Sequence, residues 1–92
     1  RALAGATVGD AHLALLHALR AWREEAARRG GVPPAVVASD RVLSEIAHRR
    51  PVDRAQLGAV RGVGPLTIDA HGDAILDVVG DHPDRSERAP VP

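Results

Sequence analysis

The 92-residue chain carries twelve arginines, no lysine, twelve acidic residues and no cysteine, so its formal net charge is zero with histidine neutral. The lack of cysteine excludes disulfides and thiolate chemistry, and the length allows one small domain near the lower limit for a self-sufficient core. No apolar run approaches a membrane span and no signal-peptide pattern opens the chain, so a soluble, cytoplasmic protein without membrane contact is expected.

Alanine, leucine and valine supply most of the apolar content, and Trp22 is the single aromatic residue. With few β-branched runs, this composition predicts an all-α bundle around a thin aliphatic core. A start at Arg1 with no methionine anywhere points to a piece of a longer protein. The charge is unevenly placed. Nine arginines face five acids between Arg20 and Arg61, whereas Gly62 to Asp84 holds five aspartates and no arginine. A dedicated DNA-binding module shows a clear basic excess, which this chain lacks.

Residues 1–9 are small and irregular in pattern, as expected of a linker remnant. Asp10 is a candidate cap for a first helix running to about Arg29, with Leu15 or Leu16, Leu19, Trp22 and Ala26 as its apolar stripe. Arg20 with Glu24, Glu24 with Arg28 and Glu25 with Arg29 are spaced as i,i+4 pairs on its outer face. Gly30-Gly31 ends it. Val32 to Ala38 reads as a stiff connector, since Pro33 and Pro34 bar a regular helix start. Ser39 or Asp40 caps the next helix, which turns Val42, Leu43, Ile46 and Ala47 inward and stops at Arg50-Pro51. Asp53 with Gln56 three residues on predicts a capping box at the head of another short helix.

Arg61-Gly62-Val63-Gly64-Pro65 then forms a glycine hairpin between two helical patterns. Two glycines around one apolar residue let the chain reverse while Val63 plugs into the core, and Pro65 suits the first turn of a helix. Such a turn leaves bare amides at a helix N-terminus, which favours an anion such as a phosphate. That is how a helix-hairpin-helix element meets a nucleic-acid backbone; an αα-corner using glycine for geometry alone is the other reading. A short helix is expected to about Ala70, a break at His71-Gly72, and a last helix with Ile75, Leu76, Val78 and Val79 inward, stopped by Gly80. The charged, proline-containing tail, residues 81–92, has no apolar periodicity and is expected to be disordered. The ordered domain is thus placed at residues 10–80.

The order of these pieces resembles the HRDC domain, the helicase-and-RNase-D C-terminal module. The resemblance rests on a Trp22-bearing first helix, Gly31-Val32-Pro33-Pro34, the valine pair Val36-Val37, and Ser39-Asp40. It continues through Leu43, Ile46 and Ala47, Arg49-Arg50-Pro51, Leu57 and Val60 before Gly62-Val63-Gly64, and Gly72 with Ile75-Leu76, covering roughly Ala11 to Val79. It implies an all-α fold, a compact five-helix bundle with a helix-hairpin-helix-like Gly-Val-Gly turn. It also implies a non-catalytic accessory domain of a UvrD-type or RecQ-type DNA helicase, making weak sequence-independent contacts with single-stranded or branched DNA. An RNase D-type nuclease is the alternative parent. The implied partners are DNA and the helicase core of the parent chain, with the module itself monomeric.

The departures from the family bear on affinity. Ala35 and Ala38 stand where DNA-binding members often carry aromatic residues, and Thr67, Ala70 and His71 where many carry a basic residue, an arginine and a tyrosine. The expected nucleic-acid contacts are therefore Arg41, Arg49, Arg50 and Arg61, the backbone of Gly62, Val63 and Gly64, and the Thr67 hydroxyl. If the missing rings and cations have abolished DNA contact, the alternative is a protein-docking or structural module, with the aspartate-rich last helix facing a basic partner. Because Arg49 and Arg50 precede the helix-ending Pro51, their joint replacement by glutamate is expected to spare the fold.

Enzymatic readings find little support. The five histidines lack the spacing of a metal pair, and His71 reads as a partly buried ring capping the turn. Asp69, Asp73 and Asp77 read as a solvated helix face, Ser39 as a cap and Trp22 as the largest core side chain. No Gly-x-x-x-x-Gly-Lys phosphate loop is present, so any ATPase lies elsewhere in the parent, and no catalytic residue, metal or cofactor is expected in this fragment.

Overall fold

Alanine, leucine and arginine without an internal proline sustain one long helix, α1, over Leu3–Gly30. The computed structural model describes residues 3–83, with side chains from residue 11 onward. Asp10 accordingly lies inside α1 instead of starting it, and the segment expected as a linker is helical from Leu3. Each residue added to an existing helix gains a hydrogen bond, so a capping-type residue does not by itself halt propagation. The end of α1 is sharper. Gly31 adopts φ +68°, its N–H donates to Arg28 O at 3.3 Å, and the Val32 N–H donates to Ala27 O at 3.1 Å. This paired arrangement is a Schellman motif, which requires the left-handed conformation that glycine supplies.

The proline segment is less extended than expected. Pro34 occupies the first position of a single-turn helix, α2 (Pro34–Val37), where its missing N–H is not needed. Next comes α3 (Asp40–Arg49), with the Ser39 hydroxyl accepting from the Val42 N–H at 3.2 Å. The short α4 (Arg54–Gly58) starts as expected, with Asp53 accepting from the Gln56 N–H at 2.8 Å. The return bond differs, because the Gln56 side-chain carbonyl accepts from the Val52 N–H at 3.0 Å, one residue ahead of the cap.

The last helix, α5, is continuous over Pro65–Asp81. No break occurs at His71-Gly72, so the five helices match the expected number while dividing the chain differently. Gly72 is buried, and a Cβ there would lie 3.2 Å from Ile68 Cγ2 and 3.9 Å from Arg54 Cζ. The glycine makes room for close packing within and beside the helix; it does not end it. Asp81 belongs to α5, and the remainder of the tail expected to be disordered, from residue 84 on, lies outside the described residues.

Leu15 and Leu19 of α1, Leu43, Ile46 and Ala47 of α3, Leu57 of α4, and Ile75 and Val79 of α5 form one core, closed by Ala38, Val60 and Val63. Trp22 is a half-buried flank of this core, not its centre. Its ring meets that of His71 edge-to-face, with centroids 5.4 Å apart and planes at 77°. His71 therefore packs α5 against α1 and does not cap the glycine turn. Of the expected outer pairs on α1, only Glu25 with Arg29 forms, at 3.8 Å, and Glu25 also binds Arg28. Arg23 instead reaches across to α3, bonding Asp40 at 2.8 Å and Ala38 O at 3.1 Å.

Candidate nucleic-acid interface

The turn between α4 and α5 is built by one strained position and one buried side chain. Gly62 has φ +96°, and a Cβ at that position would lie 2.7 Å from Val42 Cγ2. Only glycine meets both demands. Val63 is 8% exposed and its N–H donates to Val60 O at 3.1 Å, so it anchors the turn and offers no free donor. Gly64, at φ −107° and ψ 178°, is the N-cap of α5 and supplies no side-chain cap.

Pro65 has no N–H, and the first helical bond of α5 runs from the Ile68 N–H to Gly64 O at 3.1 Å. The Leu66 and Thr67 amides thus precede the helical ladder and point outward at the positive end of a 17-residue helix. The Thr67 hydroxyl, half-buried beside them, bonds no protein group among the described residues.

The contact of Gly62 with Val42 brings the turn against the first turn of α3, and each of these two residues is preceded by an arginine. Arg41 and Arg61 are both exposed and make no ion pair among the described residues. Asp69 is exposed one turn further along α5, while Asp73 pairs with Arg54 at 3.0 Å. Leu66, 82% exposed, stands beside the free amides. The sequence carries a signal for it, since position 66 falls two residues off the inward stripe of Ile68, Gly72, Ile75 and Val79.

The other two arginines lie at the opposite end of α3, roughly 13 Å from Arg41 at a rise of 1.5 Å per residue. Arg49 pairs with Glu45 at 3.3 Å. Arg50 is the non-glycine residue in the left-handed region (φ 50°), and its guanidinium donates to His82 O at 2.6 Å and Ala11 O at 3.2 Å. It ties the end of α3 to α1 and α5. The expected tolerance of Arg50→Glu does not fit these contacts, because glutamate would take the guanidinium donors from the His82 carbonyl and from the already helix-bonded Ala11 carbonyl and would retain the strained backbone.

Residues 12–79, most of the chain, fit the family model of the HRDC domain. The chain belongs to the HRDC family. This HRDC domain is 37% identical over 65 residues to the ATP-dependent DNA helicase UvrD2 of Mycobacterium tuberculosis, covering 71% of the chain and 9% of that relative. It is 44% identical over 65 residues to the ATP-dependent DNA helicase RecQ of Bacillus subtilis, covering 71% of the chain and 11% of the helicase. Ribonuclease D of Granulibacter bethesdensis is 43% identical over 65 residues, covering 71% of the chain and 16% of the nuclease. The HRDC domain thus spans only a small part of the length of the curated relatives it matches. No solved structure matches it. No helix among its described residues is long and apolar enough to cross a membrane.

Proposed function

We propose that this HRDC domain, spanning about residues 10–80, is a non-catalytic accessory module of a DNA helicase. It makes weak, sequence-independent contacts with single-stranded or branched DNA. The observation that carries the reading is the uncapped N-terminus of α5, with free amides at Leu66 and Thr67 set beside Arg41 and Arg61, which pair with no acid among the described residues. A phosphate seated there gains oriented N–H donors, the helix dipole and two mobile cations without displacing any internal bond. Gly62, Val63 and Gly64 shape the cradle, and the Thr67 hydroxyl adds a donor. Arg49 and Arg50 lie too far along α3 to share that phosphate. The family match to UvrD2 and RecQ helicases supports a helicase parent, whose core is the module's other partner. The monomer binds as a single unit.

With Arg41 and Arg61 each neutralising one phosphate, the seated one and its neighbour along the strand, the log K against log salt slope is about −1.4 on single-stranded DNA, a loss of roughly sevenfold between 50 and 200 mM salt. Fluorescence anisotropy with labelled single-stranded DNA across a salt series measures this slope. Arg41→Glu and Arg61→Glu should each flatten it by about 0.7. Binding that both variants leave unchanged removes the turn from the site.

A protein-docking role is the second reading, favoured by a specific observation: no aromatic side chain lies at the turn, and Asp69 stands beside it. Base stacking contributes about 1–3 kcal/mol per base where a ring is available, and none is available here. Absence of DNA binding at low salt would establish this second reading. A Ribonuclease D-type parent is supported by the nuclease relatives and would place RNA in the same cradle.

A further inference from the structure

At the end of α3 away from the glycine turn, the helices leave a concavity of about 590 Å³. Ala47, Pro51, Leu76 and Val79 give it an apolar floor, and Val52, 73% exposed, forms one lip. Among the described residues His12, His48, Arg49 and Arg50 are its charged or ionisable lining groups, and no acidic side chain of these residues lines it. Glu45 pairs with Arg49 from outside the concavity, and Asp77 and Asp81 are exposed on α5 without lining it.

The volume falls within the roughly 300–1,000 Å³ of sites that enclose a small ligand or a few side chains. Arg50 is the informative member. Its guanidinium has five N–H donors, of which the bonds to Ala11 O and His82 O take two. Those partners are neutral carbonyls, and among the described residues no acid pairs with it, so its positive charge stays uncompensated there at the edge of an apolar floor. A cation so held by its own backbone contacts is already positioned for a carboxylate, and little side-chain entropy is lost on pairing.

We infer that this concavity docks an acidic peptide segment of a partner protein, with an aliphatic side chain of the peptide on the Ala47–Leu76–Val79 floor and flanking carboxylates on Arg50, Arg49 and His48. The floor offers no flat aromatic surface for a base, and an extended phosphate backbone would leave its apolar area uncovered. Peptide chemistry fits both the floor and the rim. The site is separate from the phosphate cradle, so one domain can hold nucleic acid and a protein partner at opposite ends of α3.

The test uses the full 92-residue chain and three fluorescein-labelled peptides of equal length, one of aspartate and leucine, one of aspartate alone, and one of serine and leucine. The aspartate–leucine peptide should bind, shift the backbone amide resonances of His48, Val52, Leu76 and Gly80, and lose at least about tenfold in affinity in His48→Glu and in Val52→Glu. Both residues are exposed, so each variant should keep the fold, with Val52→Glu melting as the parent chain does and His48→Glu a few degrees lower for its charge in the last turn of α3. Equal binding by the aspartate-only peptide would show that the apolar floor is unused, and equal binding by the serine–leucine peptide that the cations are unused; either overturns the inference. So does failure of all three peptides to bind. Single-stranded DNA that shifts the same amides and displaces the peptide would make the concavity a nucleic-acid site instead. Arg61→Glu, aimed at the cradle, should leave peptide affinity unchanged.

Discussion

Arg50 shows how one residue takes on a role that its type does not announce. A left-handed backbone costs a non-glycine residue roughly 1–2 kcal/mol. Here the same conformation directs the side chain to the His82 and Ala11 carbonyls. Hydrogen bonds from a charged donor are each worth about 1.5–3 kcal/mol net, so the clamp outweighs the strain. Arg50→Ala should then lower stability by roughly 3–6 kcal/mol, because it keeps the strain and loses both bonds. Arg50→Gly should be about 1 kcal/mol less damaging, since it loses the bonds and relieves the backbone. Chemical denaturation of the two variants checks the order; glycine at or below alanine would mean that φ at this position carries no cost. A pair of arginines before a proline reads from sequence as an exposed cationic cluster, and nothing local reveals that the second one turns inward.

At the scale of elements, what was legible was the chemistry that has one compatible use. Ser39 and Asp53 cap where expected, Gly30-Gly31 ends α1, and the inward stripe of α3 holds at Leu43, Ile46 and Ala47. The misread positions are residues with two compatible uses. Pro34 starts a helix as readily as it bars one, Asp10 is tolerated inside a helix, and Gly72 serves close packing as well as termination. Tertiary contacts that a local pattern does not contain decide among these uses. The phosphate cradle was legible as a turn, but only the contact of Gly62 with Val42 joins Arg41 to it and leaves Arg49 and Arg50 at the far end.

The N-terminus of α5 yields a prediction with opposite signs for stability and binding. Gly64 sits at an ordinary φ with nothing within 4 Å of a Cβ position, so a side chain is accommodated there. In Gly64→Asp the carboxylate would cap the Leu66 or Thr67 amide and interact with the helix dipole, stabilising the fold by a few tenths to about 1 kcal/mol. The same carboxylate would occupy the place of the phosphate and repel it. Melting temperature should rise while DNA affinity falls. A rise in both would show that the amides are not the anion-binding donors.

Across the whole molecule, charge is balanced by pairing more than by segregation. Arg23 with Asp40, Arg49 with Glu45 and Arg54 with Asp73 tie cations of the arginine-rich middle to nearby acids. Among the described residues this leaves Arg41 and Arg61 as free cations beside the turn, with Asp69 opposing them. A chain of zero formal net charge therefore has a small, local positive field at the cradle, and the long-range attraction that speeds association of basic domains is weak. Asp69→Arg tests this picture because it removes the nearest opposing charge and adds a cation while leaving the core untouched. If the cradle holds phosphate, the salt slope should steepen by about 0.7 and affinity at low salt should rise several-fold. Stability should change little, since position 69 lies beyond the first turn of α5, where the helix-dipole effect has largely fallen off. An unchanged slope would show that position 69 does not feel the nucleic acid. The aspartates of α5 would then be free to face a basic protein surface, and the docking reading would take precedence.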